Sequence, residues 1–157
     1  MNQVQPTESS KMSDQDIINQ ALKILKLRLH KPDFFITEQD DARSYLKLQF
    51  SGLEYESFRV MYLNNKHGLI KMKEMFRGTI NQAKIYPREI LKAALHFNAA
   101  AVILSHNHPS GKIDPSMSDR TITRQLVTAL DLIDIRVLDH IIVGGDDTFS
   151  FAQNGLL

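Results

Sequence analysis

Residues 99–119, "AAAVILSHNHPSGKIDPSMSD", run from an unbroken apolar segment into a stretch dense in histidine, serine and aspartate. An apolar run without alternation is what a central strand covered on both faces requires. Pro109 and Gly111 then open a loop. Beyond it Ile122, Leu126, Ala129, Leu130 and Ile133 recur at helical spacing, as in an amphipathic helix that lies on the sheet. A buried strand followed by its covering helix places the chain in the α/β (or α+β) class.

The flanking segments agree. Upstream, "ESFRVMYLN" and "LIKMKEMF" surround "NKHG", which reads as a hairpin, and "TINQAKIY" reads as a further extended stretch. Pro87 stands where a helix should start, with Ile90, Leu91, Ala94 and Leu95 on one stripe. Nearer the N-terminus, Ser13 and Asp16 resemble a capping box for a helix whose apolar stripe is Ile17, Ile18, Ala21, Leu22, Leu25 and Leu29, with Lys23, Lys26 and Arg28 on its wet face. A second helix is expected from near Thr37 to Gly52, carrying Ala42, Tyr45 and Leu46. Downstream, "IRVLDHIIVGG", a turn at Asp146 and Asp147, and "FSF" complete a mixed sheet in a single domain. Residues 1–12 are polar and aperiodic, as in a flexible tail.

At 157 residues, 43% hydrophobic and 24% charged, the composition is that of one ordinary globular domain, and no apolar run reaches membrane-spanning length. A formal net charge of +1 gives no general attraction to nucleic acid or anionic lipid. The absence of cysteine rules out thiolate ligands, so a metal site must use His, Asp or Glu. No secretory signal is visible, which makes the cytoplasm the expected compartment.

His106 and His108 are two apart at the end of an extended run and share a face. Asp119 is in helical phase with Ile122 and Leu126 and points inward. Two histidines and one carboxylate form a three-ligand set suited to Zn²⁺, with a fourth position left for water. Ser116 and Asp119 also make a helix cap, a second use for the same letters. The contiguous His-Asn-His triplet is not the dispersed motif of HNH nucleases, and "PSGK" lacks the spacing of a phosphate-binding loop.

A hydrolase of this kind needs a carboxylate to move protons. Simple alternation along "LIKMKEMF" puts Glu74 on one face with Ile70, Met72 and Phe76, where an ionised carboxylate either lies at a strand end in water or faces a cation or a metal-bound water, the second being the reading favoured here. Glu56 is the fallback, in line with Phe58, Val60 and Tyr62, although a solvated strand start is the reading preferred for it. Asp139 and His140 interrupt an otherwise apolar strand, either as a satisfied buried pair or as a partner that orients a ligand. His30, His67 and His96 read as surface residues.

His106-x-His108-Pro109 followed by Ser116-x-x-Asp119 resembles the JAMM (MPN+) metalloprotease signature. "FRGTINQAKIYPREI", "NAAAVILSHNHPSG", "VLDHIIVGG" and "SFAQNGLL" resemble the RadC branch of that superfamily, over about residues 35 to 157. The resemblance implies a JAB/MPN-type fold of cytidine-deaminase-like architecture, a curved mixed sheet flanked by helices, preceded by a helical segment at 13–34. It implies one Zn²⁺ on His106, His108 and Asp119, Glu74 as general acid/base and Ser116 as a donor to the oxyanion. Asn107 stands where deubiquitinating relatives have Ser or Thr, so ubiquitin-like substrates are not implied. The expected form is a short RadC-like protein without the N-terminal helix-hairpin-helix region.

The function expected on these grounds is a zinc metallopeptidase acting on a peptide or isopeptide bond. The rival is a non-catalytic binding module linked to bacterial DNA repair or recombination, motivated by the basic run on the first helix.

Overall fold

The central strand meets its expectation in full. In the computed structural model, which describes residues 12–29, 36, 39–78 and 85–157, β3 (Ala101–Asn107) is buried at every position. It lies in the middle of a five-stranded sheet ordered β2-β1-β3-β4-β5, with β1 Ser57–Leu63, β2 Leu69–Arg77, β4 Arg136–Gly144 and β5 Asp147–Ser150. The β3–β4 pair is parallel and the other three pairings are antiparallel. The parallel step needs a crossover, which α4 (Met117–Asp131) supplies.

Alternation along the strands splits the core into two layers. Phe58, Val60, Tyr62, Val102 and Leu104 face α3 (Pro87–His96) and α4, and pack on Ile90, Ala94, Ile122, Leu126 and Leu130. Met61, Leu63, Ala101, Ile103, Ile141 and Val143 face the opposite way, onto Ala42, Tyr45, Leu46 and Phe50 of α2 (Gln39–Phe50). Each fully buried side chain of this size contributes about 1.5–3 kcal/mol. Four helices and five strands thus form a single α/β domain among the described residues, as a JAB/MPN-type fold requires. No helix there is long and apolar enough to cross a membrane.

Three expectations change in detail. Ile17 is 55% exposed, because among the described residues of α1 (Asp14–Leu29) the apolar side chains packed on the α2 layer are Leu22 and Leu25. On α3 the buried stripe is Ile90, Ala93 and Ala94, while Leu95 is 61% exposed. On β2, register shifts leave Ile70 and Met75 unpaired between consecutive β1 partners. Each inserted residue reverses the facing of those beyond it, so Ile70, Met75 and Phe76 join the α3/α4 layer while Met72 joins the α2 layer. The single face expected for Ile70, Met72, Glu74 and Phe76 is therefore divided.

Of the extended stretch expected at 79–86, residues 79–84 lie outside the described residues, as do His30, Thr37 and the segment 1–11 of the expected tail. The hairpin, the β4–β5 turn and the helix after the histidines are found where the sequence places them.

Candidate metal centre

His106 belongs to the alternation of Val102 and Leu104 and points into the α3/α4 layer, fully buried. Its ring is stacked on Phe58 with centroids 6.1 Å apart. One residue past the strand end, His108 is held by its own backbone: its N–H donates to Val143 O at 2.9 Å and its carbonyl accepts from Gly111 N at 3.0 Å. This turn lies directly on β4. A Cβ added at Gly144 would stand 2.6 Å from the Gly111 carbonyl oxygen, so only glycine fits beneath the loop. His108 Nδ1, 2.8 Å from Lys112 O, turns the ring so that its Nε2 lies 3.0 Å from His106 Nε2.

Asp119 arrives from the first turn of α4. The capping box is present: Ser116 Oγ accepts from Asp119 N at 3.1 Å, while Asp119 Oδ2 accepts from Ser116 N and Ser116 Oγ, both at 2.7 Å. The cap and the ligand position are thus the same hydrogen bonds. They bring Asp119 Oδ1 to 3.2 Å from His106 Nε2 and Oδ2 to 3.6 Å from His108 Nε2.

The three residues could hold a metal ion, their ligand atoms lying within 4.8 Å of one another. The chemistry of the donors supports the fit. Lys112 O can only accept, so His108 carries its proton on Nδ1 and presents a lone pair at Nε2. Asp119 Oδ1 is buried without a hydrogen-bond partner, a costly state for a carboxylate oxygen unless a cation meets it. Ligand atoms around a tetrahedral zinc with bonds of about 2.0–2.1 Å stand roughly 3.3 Å apart, and the separations of 3.0, 3.2 and 3.6 Å are close to that.

Burial opposes ionisation of Asp119, but the neighbouring His106 and His108, together with the hydrogen bonds from Ser116, outweigh it and hold the carboxyl well below the usual carboxylate range. Burial pushes the His106 pKa down, and its contacts with Asp119 only partly offset this. Asp119 raises that of His108 against partial burial. The raised His108 value predicts a proton–metal competition. In the metal-free protein the stabilisation His108 gains from Asp119 is present below its unfolded pKa of about 6.5 and is lost as pH rises through the folded value. Metal binding needs the deprotonated ring and follows the opposite sign. The thermal shift produced by saturating zinc is expected to grow from pH 6 to pH 8, as differential scanning fluorimetry would show.

The other sequence candidates fall in two places. Glu74 is on the α2 side of the sheet, opposite Arg59 in register. It accepts from Ser57 Oγ at 2.5 Å and from Arg77 Nη2 at 3.1 Å, with Arg59 Nη2 at 3.8 Å. Burial raises its pKa, but Ser57, Arg77 and Arg59 together bring it below the ordinary value. The structure does not bring Glu74 to the histidines. Glu56 is nearer: it precedes Ser57, so alternation places it on the Phe58 and His106 side, and its negative charge favours the protonated forms of both His106 and His108. The backbone on either side of Glu56 is clamped by Asn107, whose Oδ1 accepts from Ser57 N at 2.7 Å and whose Nδ2 donates to Tyr55 O at 3.0 Å. The residue between the two histidines therefore ties the Glu56 segment to the site.

Asp139 and His140 are neighbours in sequence with separate duties. Asp139 accepts from His140 N, Ala152 N and Ser150 Oγ, which fastens the turn after β5. His140 lies behind His106, with Phe151 stacked on its ring at 4.7 Å. Thr123, also buried here, was not singled out from the sequence. Its position one helical turn after Asp119 was the available signal.

Residues 36–156 match the family described as RadC-like JAB domain. The chain is 54% identical over 144 residues to the UPF0758 protein YeeS of Escherichia coli (strain K12), across 92% of this chain and 97% of that one. It is 51% identical to UPF0758 protein YkfG of the same strain, across 92% and 91%. To a UPF0758 protein of Vibrio cholerae it is 46% identical over 149 residues, across 95% and 93%. The matched span takes in the hairpin strand under His106, the histidine pair, the capped aspartate and the strand behind them, and the chain belongs to the RadC-like JAB domain family.

Proposed function

We propose that the protein is a zinc-dependent hydrolase of peptide or isopeptide bonds, with His106, His108 and Asp119 as ligands and Glu56 as general acid/base. The observation that carries this reading is the convergence of two imidazole nitrogens and an otherwise unpartnered carboxylate oxygen on one point. A nitrogen- and oxygen-only donor set of three suits a catalytic zinc, which when bound supplies Lewis acidity to activate water and polarise a carbonyl.

The chain's own groups supply the rest. Access is from the His108 side, since the His108 side chain is 14% exposed while those of His106 and Asp119 are buried. Beside His108 a cleft of about 520 Å³ lies between Pro109, the C-terminal end of α2 with the 51–53 segment after it, and Asp146, and we assign the substrate chain to it. Glu56 takes the proton of the attacking water as the carbon–oxygen bond forms. It returns that proton to the amine nitrogen as the carbon–nitrogen bond breaks. Ser116 is assigned to the oxyanion. Its backbone N–H alone keeps Asp119 Oδ2 bonded, which releases the hydroxyl to donate to the developing charge.

Incubation of zinc-loaded protein with peptide libraries and lysine-linked isopeptides, read by mass spectrometry, is expected to give cleavage that a chelator abolishes. Full zinc content with no cleaved bond, together with salt-dependent DNA binding, would replace this reading with the binding module, for which Lys23, Lys26 and Arg28 lie exposed on α1.

A further inference from the structure

A closed set of hydrogen bonds lies behind the metal centre, and the direction of each bond can be assigned. Thr123 Oγ1 is 2.5 Å from the main-chain oxygen of Asp119, a group that only accepts, so the hydroxyl proton goes there. The same oxygen is 2.6 Å from His140 Nδ1. With its proton already given, it can only accept, so His140 carries its proton on Nδ1. His140 is fully buried, with Phe58 at its edge and Phe151 on its face. Its Nε2 therefore presents a lone pair, 2.8 Å from His106 Nδ1.

From this geometry we infer that Thr123, acting through His140, fixes the proton of His106 on Nδ1 and so aims its Nε2 lone pair at the metal position in advance of the metal. The inference rests on the metal reading above and adds two positioning residues to it. A metal-bound histidine ordinarily gives its second N–H to a carboxylate, a backbone carbonyl or water. A carboxylate or carbonyl accepts in any state. An imidazole donates or accepts according to its tautomer, so a histidine in that place needs a third group to choose for it. Thr123 is that group, although it reaches the ligand set only through the Asp119 backbone and the far side of a second ring. The relay starts at one buried ligand residue and ends at the other, so it also sets the position of α4 against β3.

Thr123→Val keeps the side-chain shape and removes the hydroxyl, and Thr123→Ser keeps the hydroxyl. Ring-nitrogen NMR of the metal-free protein labelled with ¹⁵N-histidine reads the tautomer, and zinc competition against a chromophoric chelator reads the affinity. Wild type and Thr123→Ser are expected to show His106 protonated on Nδ1. In Thr123→Val the His140 proton loses its acceptor and moves to Nε2, which forces the His106 proton onto the nitrogen facing the metal. Zinc affinity is then expected to fall about 10- to 100-fold, the usual loss when such a partner is removed, and to return in Thr123→Ser.

His140→Gln is the second variant. Its amide oxygen accepts from His106 and its amide nitrogen donates to Thr123, so tautomer and affinity are expected to survive, and both are expected to be lost in His140→Leu. Protonation of wild-type His106 on Nε2, or a Thr123→Val protein that binds zinc within about twofold of wild type, overturns the relay. A wild type that shows the Nδ1 tautomer but takes up no zinc would instead sink the metal reading and leave the relay standing.

Discussion

Alanine at both His106 and His108 is expected to leave the protein without bound metal, where wild type carries about one zinc per chain. Structural zinc sites bind with about 10–16 kcal/mol at neutral pH, so each of four positions is worth on the order of 3 kcal/mol. Losing two costs roughly four orders of magnitude in affinity. Elemental analysis after gel filtration measures it. The single variants separate metal loss from collapse. His106 is packed between Phe58 and His140, so His106→Ala opens a cavity and strands a ring nitrogen, at about 2–4 kcal/mol of stability. His108 is half-buried at the strand end, and His108→Ala is expected to lose the metal with little change in the melting curve of the metal-free protein. Stoichiometric zinc in the double variant would place the ligands elsewhere.

The second large effect separates two glutamates. Glu56→Gln is expected to lower kcat about 10²- to 10⁴-fold, the usual worth of a general acid/base, with zinc content unchanged. Glu74→Gln is expected to leave kcat within a few-fold and to cost about 1–3 kcal/mol of stability, because Ser57, Arg59 and Arg77 lose the charge they surround. Parallel kinetic and denaturant measurements on the two variants decide the assignment. A dead Glu74→Gln protein beside an active Glu56→Gln protein would reverse it.

The parts of this site that could be read from sequence obey a single period. β3 shows as an uninterrupted apolar run, and Asp119 faces inward because Ile122 and Leu126 share its helical phase. The grouping of His106, His108 and Asp119 was legible because it lies within one strand, one loop and one helical turn. Glu74 was misplaced relative to its neighbours because alternation carries no sign of an inserted residue, and β2 has two register shifts. Asp139 and His140 read as a pair because adjacent letters look like one feature, yet adjacent strand residues face opposite layers. The Asn107 clamp and the Thr123–His140 relay join segments far apart in the chain, and no local pattern announces such contacts.

The wide spacing of those supports governs the order of events when the protein folds. His106, His108 and Asp119 are near one another in the chain, but His140, the ring that aims His106, needs Phe58 of β1 at its edge, β3 beside it and Phe151 on its face. Pairings of such sequence separation form late and slowly. An ion bound there would therefore meet a finished cradle and would not nucleate one. Its stabilisation would belong to the native state and fall on the unfolding limb of the chevron, so saturating zinc is expected to slow unfolding and leave the refolding rate unchanged.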